Sequence, residues 1–260
     1  MPAGLLAEQW AAAGVARGDT LLLHSSIKRT LLASRRAGRT ISPADVLDSF
    51  LEALGPEGTL LLPLFNFDFA NGGPFDIRHT PSQMGALTEA GRLHPHAVRT
   101  GHPIYSFAVI GAQSVRFRTV DNASGYAEDS PFGILRAMNG AIAVLDLDDQ
   151  NSMTFYHHVE EVKRVPYRYF KDFTGLYTGW DGVVATKTYT LYVRDLDHGV
   201  VTNVNPAGEL MWQHGLYHGS RPGVGCGLRT IRSSDMFDFV SSLIDGSRAL
   251  GTLYSIETTA

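Results

Sequence analysis

The groups best able to move a proton are gathered in the stretch Asn151–Val165, which reads NSMTFYHHVEEVKRV. Two adjacent histidines, His157 and His158, are followed by Glu160 and Glu161. On a helix, residues three or four apart share a face, so His157 meets Glu160 or Glu161, and His158 meets Glu161. A carboxylate against an imidazole holds one tautomer and raises the basicity of the ring, which is what a general base requires. Spacing alone does not choose among these pairs, and a solvated helix face would carry the same residues. A metal reading of the HxxE spacing lacks a second cluster of His, Glu or Cys to complete a shell, so no metal is expected.

The elements that must position this stretch are legible around it. Ala141–Leu147 (AIAVLDL) is a short apolar run of buried-strand length. Asn151 or Ser152 can cap the helix that follows, and Pro166 stops it at Val165. A strand-to-helix junction lies at the carboxyl end of a strand, where open α/β sheets bind ligands. Thr20–His24 (TLLLH) predicts a second buried strand, ending in His24-Ser25-Ser26. Hydroxyls and amides at such an end bind polar ligands or cap the next turn.

Ser42, Pro43 and the stripe Val46, Phe50 and Leu54 predict a helix closed by Gly55. Gly58–Leu64 reads as another buried strand, ended by Pro63. The alternating aromatics of Phe65–Phe69 wall a pocket or fill the core, and Asn71–Pro74 is a turn. Thr80-Pro81-Ser82-Gln83 reads as a capping box opening a helix through Arg92, with Gly85 inside it for close packing. Arg99–Gly111 holds a strand, Ile104–Ile110, and three candidate polar contacts in Arg99, His102 and Ser106. Ser130-Pro131 opens a helix, and Thr186–Asp195 alternates like an antiparallel strand. Gly208–Gly215 reads as helix, Gly223–Gly227 as a turn, and Ser234 as the cap of a last helix ending at Ile244. Strands alternating with helices, and extra β structure toward the C-terminus, imply one α/β/α layered domain spanning residues 1–260.

Composition bounds the function. A net charge of −4 and a pI near 6.2 leave no nucleic-acid footprint, and basic residues cluster only in Lys28–Arg39. The lone cysteine, Cys226, rules out an internal disulfide framework and fits a reducing compartment. No signal peptide and no run of 18 apolar residues are evident, so the expectation is a soluble cytoplasmic protein without membrane or nucleic-acid partners.

Several motifs in register resemble the aminoglycoside 3-N-acetyltransferase family, also called the antibiotic N-acetyltransferases. They are His24-Ser25-Ser26; Gly55-Pro56-Glu57-Gly58-Thr59-Leu60; Thr80-Pro81-Ser82 with Met84-Gly85 and Leu87-Thr88-Glu89; His102-Pro103 with Ser106-Phe107; Ser130-Pro131-Phe132; and Thr154 through Glu160. The resemblance covers most of the chain, the C-terminal third least. It implies an α/β/α sandwich of the antibiotic N-acetyltransferase type, unlike the Gcn5 fold, and acetyl-CoA as donor. The family pattern T-F-x-H-x-x-E sets the register at Thr154, making His157 the base and Glu160 its partner. CoA is then expected along Ser25, Ser26 and Ile27, with Lys28, Arg29, Arg35 and Arg36 meeting its phosphates.

In that reading His157 takes the proton of the attacking amine, and Glu160 stabilises the imidazolium. The oxyanion needs donors, for which Ser25-Ser26 and Ser130 are candidates. Phe65, Asp68, His102, Tyr105 and Asp146 are the expected acceptor contacts. The chain departs from the resistance enzymes after His24-Ser25-Ser26, where Ile27-Lys28-Arg29-Thr30 replaces a small-residue loop, and at Arg99-Thr100-Gly101-His102-Pro103. These departures leave acetyl transfer intact and open the acceptor: an aminoglycoside-like amino sugar, or an amino-sugar nucleotide or other small amine in a biosynthetic role. The partners expected are therefore CoA and a small amine, with monomer and homodimer both open. Two competing readings are ping-pong transfer through Cys226 and a non-catalytic acyl-CoA-binding protein. A serine hydrolase is disfavoured because no G-x-S-x-G elbow is present.

Overall fold

The computed structural model describes residues 2–257. Its strands, in chain order, are β1 (Thr20–Ser25), β2 (Thr59–Pro63), β3 (Phe75–Asp76), β4 (Val98–Arg99), β5 (Phe107–Gly111), β6 (Ala141–Leu145), β7 (Arg168–Thr178), β8 (Val184–Arg194), β9 (Val200–Thr202), β10 (His218–Gly219), β11 (Leu228–Arg232) and β12 (Tyr254–Ile256). The helices are α1 (Pro2–Ala12), α2 (Lys28–Arg36), α3 (Pro43–Leu54), α4 (Ala86–Arg92), α5 (Ser114–Phe117), α6 (Pro131–Ala137), α7 (Phe155–Val162), α8 (Asn205–Gln213) and α9 (Ser233–Asp245).

The short apolar runs make the main sheet, in the order β10-β11-β6-β1-β2-β5-β4. β1 lies between β2 and β6 and runs parallel to both, whereas β5 and β11 flank them antiparallel. These strands are apolar at nearly every position because helices cover both faces of the sheet. Alternate side chains divide between two cores. Leu21, Leu23, Leu60 and Leu62 pack with Trp10, Val46, Phe50 and Leu87 from α1, α3 and α4. Leu22, Leu61, Ile142 and Val144 pack with Phe132, Phe155, Val159 and Val240 from α6, α7 and α9. The result is the α/β/α layering expected. Each fully buried Leu or Phe contributes about 1.5–3 kcal/mol over an exposed one.

A separate three-stranded sheet, β3-β7-β8, and the pair β9-β12 supply the extra β structure toward the C-terminus. β7 and β8, eleven residues each, form a hairpin registered from Arg168↔Arg194 to Thr178↔Val184. One face is wet: Phe170, Asp172, Thr174 and Leu176 are exposed, and Tyr169 is exposed on the other.

Several boundaries differ from the expectations. The segment at Thr80–Gln83 is not helical. α4 begins only at Ala86, because Gly85 stands at its N-cap with φ +115°. Gly85 supplies that backbone conformation, and no other backbone packs on it, since nothing lies within 4 Å of where its Cβ would be. Ser82 closes the preceding turn instead: its hydroxyl accepts from Met84 N–H, and its own N–H donates to the Glu89 carboxylate. β5 starts at Phe107 rather than Ile104, because His102 Nδ1 accepts the N–H groups of both Ile104 and Tyr105 and bends the chain there. α7 spans Phe155–Val162, later at its start and earlier at its end than Asn151–Val165, and Arg164 turns the chain at φ +51°. α8 begins at Asn205, where Pro206 fits its first turn. Ser234 does not cap α9; its hydroxyl donates to Asn139 Oδ1 at 2.6 Å. The basic segment after Ile27 forms a helix, α2.

Candidate active site

β1 and β6 end side by side, with Ser25 opposite Leu145 and Ser26 N–H donating to Leu145 O at 2.8 Å. Beyond β6, Asp146 takes φ +52° and turns the chain across the carboxyl ends of the sheet. Buried Asp149 then anchors the loop. It accepts from Tyr156 OH at 2.8 Å, Tyr217 OH at 2.6 Å and Arg229 Nη2 at 2.7 Å. A buried charge persists only when matched and hydrogen-bonded in this way. The network ties the start of α7 to β11, so α7 is held by both its own apolar face and its leading loop.

α7 buries Phe155, Tyr156, His158 and Val159 and turns His157 to the rim. The His157 side chain is 20% exposed, and its Nδ1 lies 2.9 Å from Glu160 Oε2. Glu160 is fully buried and also faces Arg168, whose Nε is 2.8 Å from the same oxygen. Arg168 Nη2 in turn lies 2.9 Å from His157 Nδ1. A carboxylate only accepts, so the Nδ1 proton goes to Glu160 and Nε2 keeps its lone pair. Two donors then face one another at Nδ1, and Arg168 acts on the ring through charge rather than through a hydrogen bond.

Those neighbours set the titration. Burial lowers the His157 pKa from its ordinary value, Arg168 lowers it further, and Glu160 opposes them without prevailing. Burial would raise the Glu160 pKa, but Arg168 and His157 outweigh it and hold the carboxyl below its usual range. The dyad therefore carries a neutral imidazole on an ionised carboxylate at neutral pH.

Two cavities meet at this ring. One, about 320 Å³, is lined by His24, Phe65, Phe67, Met84 and the loop 149–154. The other, about 330 Å³, is lined by Tyr126, Arg168, Lys171, Phe173 and Arg194 among others. Tyr105, His157 and Thr202 border both. His24 is buried at the end of β1 with no partner for Nε2, and burial with the nearby Arg229 pushes its pKa down to about 3. An orphaned polar nitrogen beside a cavity marks a place for a polar ligand group, and Ser25, Ser26 and exposed Lys28 follow it directly. Among the described residues no group of His, Cys, Asp and Glu is arranged to hold a metal ion.

The expected site residues separate. Phe65 and Tyr105 line the cavities at His157. Ser25 and Ser26 are half-buried at the strand end, and Ile27 is buried at the start of α2. Arg29 is held by Asp146, Nε at 2.9 Å from both oxygens, and by Gly225 O, so both its charge and that of Asp146 are matched. Asp146 is thus an ion-pair partner away from the acceptor cavities. Ser130 is fully buried, its hydroxyl donating to Ala127 O and accepting from Gly133 N–H as the cap of α6, so it contacts neither cavity. His102 is fully buried and spent on its own turn, its pKa pressed down to about 4 by burial. Asp68 is exposed, accepts from Gln83 Nε2 at 3.0 Å, and lines neither cavity. Arg99 and Ser106 bond each other in the core. His158 donates to Tyr126 O at 2.7 Å and Glu161 accepts from Ser124 Oγ at 2.8 Å, so both are structural. Cys226 borders a different cavity, with Trp10 and Arg29.

Sequence reasoning missed Arg168 and Tyr126. Arg168 opens a strand that no period-2 pattern announced; its one signal was a basic residue two positions after Pro166. Tyr126 sits in a loop, its ring 5.3 Å from that of His157.

Comparison with known proteins identifies the family and the fold. The family model for aminoglycoside 3-N-acetyltransferase matches residues 22–245. Aminoglycoside N(3)-acetyltransferase VII of Streptomyces paromomycinus is 28% identical over 192 residues, covering 65% of this chain and 63% of that protein. A SPbeta prophage-derived aminoglycoside N(3')-acetyltransferase-like protein of Bacillus subtilis is 25% identical, covering 63% and 65%. These alignments span less than two thirds of either relative's length. Among solved structures, aminoglycoside acetyltransferase AAC(3)-Xa superposes with a TM-score of 0.76 at 22% identity, over 94% of this chain and 91% of that one. AAC-IIIb in a binary complex with CoASH gives 0.74 at 20% identity, over 98% and 97%. With its matched model, its layered fold and its strand-end histidine, the chain belongs to the aminoglycoside 3-N-acetyltransferase family.

Proposed function

We propose that this chain transfers the acetyl group of acetyl-CoA to a primary amine of an aminoglycoside-like amino sugar, with His157 as general base and Glu160 as its partner. The observation that carries the reading is His157 itself: oriented through Nδ1 by a buried carboxylate, lowered in pKa, and placed where two cavities meet. Ser25, Ser26, Ile27 and Lys28 would receive the donor at the end of β1, and a solved relative carrying CoASH supports that donor. The relatives' names and a sisomicin-bound AAC-VIa structure support the acceptor class.

His157 Nε2 takes a proton from the amine as its nitrogen bonds to the thioester carbonyl carbon. The C–S bond then breaks, the thiolate receives that proton from the imidazolium, and the products are the N-acetyl amine and CoASH. Glu160 stabilises the transient positive charge on the ring. No helix among the described residues is long and apolar enough to cross a membrane. The position of Cys226 on a separate cavity disfavours an acyl-enzyme on that sulfur.

Thiol release from acetyl-CoA in the presence of amines tests the mechanism. His157→Ala should lower kcat at least about 100-fold, and Glu160→Gln should lower it as well. Near-normal turnover by His157→Ala would dismiss the role given to the ring, and release by neither wild type nor variant with any amine would favour a non-catalytic acyl-CoA-binding protein.

A further inference from the structure

We infer that the amine this chain acetylates also carries an anionic group, a phosphate or its equivalent, held by Lys171 and Arg194 in the cavity beneath the β7–β8 hairpin. This rests on the acetyl transfer proposed above and narrows its acceptor to amino sugars that carry an anion, setting aside the polycationic aminoglycosides that the relatives' names support. Three positive side chains border that cavity, Arg168, Lys171 and Arg194, and no aspartate or glutamate does. Arg168 is already matched by Glu160. Lys171 and Arg194 are exposed and form no ion pair with any described carboxylate. The adjacent acids are turned to other partners: Asp172 accepts from Thr190 Oγ1 at 2.6 Å, and Asp195 lies 2.7 Å from His198 Nδ1. The chain as a whole has a net charge of −4, so this concentration of positive charge is local and not a reflection of a basic protein.

The placement relative to chemistry argues for the acceptor rather than the donor. His157 stands between the cavity at the end of β1 and the hairpin cavity, and direct transfer requires that the two substrates reach the ring from different sides. With the donor at the strand end, the hairpin cavity is left to the amine. Alternation along β7 puts Tyr169, Lys171 and Phe173 on one face, while Arg194, paired with Arg168, stands on the other, so the two cations border the cavity from either face of the hairpin, with aromatic side chains beside Lys171. A polycationic amine would meet like charges there, whereas a phosphorylated amino sugar or a similar anionic amine would meet opposite ones.

The test compares glucosamine 6-phosphate, glucosamine and sisomicin as acceptors at saturating acetyl-CoA, by thiol release. The wild type should favour the phosphorylated sugar in kcat/KM by at least about tenfold, the worth of one modest charge contact. Lys171→Ala with Arg194→Ala should bring glucosamine 6-phosphate and glucosamine within about threefold of each other, through the acceptor's KM. Lys171→Glu with Arg194→Glu should turn the preference toward sisomicin. Equal or better use of glucosamine or sisomicin by the wild type overturns the inference. So does a rise confined to the acetyl-CoA KM, which would assign the two cations to the donor's phosphates. In either of those cases loss of turnover in His157→Ala keeps acetyl transfer standing; absence of release with all three amines overturns the inference, and absence of release with any amine removes acetyl transfer as well.

Discussion

His157 has neighbours of opposite sign on one nitrogen. Glu160 favours the imidazolium, whereas burial and Arg168 disfavour it and prevail, so its pKa lies below the ordinary 6.5. The sign of the pH dependence follows. A base with a lowered pKa stays neutral and competent at neutral pH, and kcat/KM should fall only as pH drops below about 6.5. Replacing Arg168 by Gln removes a positive charge and leaves Glu160 ionised beside the ring. The lost positive charge no longer opposes Glu160, which favours the imidazolium, so the acid limb of the kcat/KM profile should move to higher pH, with a larger activity loss at pH 6 than at pH 8. Arg168→Lys should keep much of the original limb. An unmoved limb in Arg168→Gln would show that the guanidinium does not act on the ring. Because Arg168 also matches a buried carboxylate, Arg168→Gln should cost about 3–5 kcal/mol of stability, read by urea unfolding.

Elements that bury an apolar face announce themselves, and those that follow backbone detail do not. β1, β2, β6 and α3 were legible because two-sided burial demands unbroken apolar runs and because Ser42 caps α3 in a box with Asp45. The hairpin strand β7 was not, since exposed aromatics stand on both of its faces, Tyr169 on one and Phe170 on the other, and break the alternation that marks a half-buried strand. The late start of α4 depends on the φ of Gly85, and the bend before β5 on one imidazole accepting two N–H groups; neither leaves a periodic trace. For the site, residue types and spacing named the helix carrying His157 and Glu160, while Arg168 and Tyr126 come from distant segments that only the fold brings near. The loop before α7 depends on the same kind of long-range contact. Arg229→Met would leave Asp149 ionised and buried on two tyrosine hydroxyls alone, at a cost of about 3–5 kcal/mol in urea unfolding. Adding Asp149→Asn should recover part of that loss, because the stranded charge is gone. A single-variant cost below about 1 kcal/mol would mean that water reaches the carboxylate and the anchor is weak.

Across the whole molecule, three histidines are buried neutral in separate places: His24 at the end of β1, His102 in the loop before β5 and His158 in α7. Burial is the leading cause at each, pushing His24 down to about 3 and His102 and His158 down to about 4. In the unfolded chain these rings return to about 6.5. As pH falls below 6.5 the unfolded state takes up protons that the native state refuses, so stability drops with falling pH until the native values are reached. Each refused proton costs about 1.4 kcal/mol per pH unit, and the three together have a combined slope of about 4 kcal/mol per unit near pH 5. Between pH 6.5 and 4 that slope removes on the order of 9 kcal/mol, comparable to a total stability of about 5–15 kcal/mol. The urea midpoint should therefore hold between pH 7 and 8 and fall steeply between pH 6 and 4.5. His158 also donates Nδ1–H to Tyr126 O, so His158→Asn, which keeps a donor near that carbonyl and has no proton to gain, should flatten the acid slope by about a third. A midpoint that stays level to pH 4.5 would mean that these rings open to water well before the fold does.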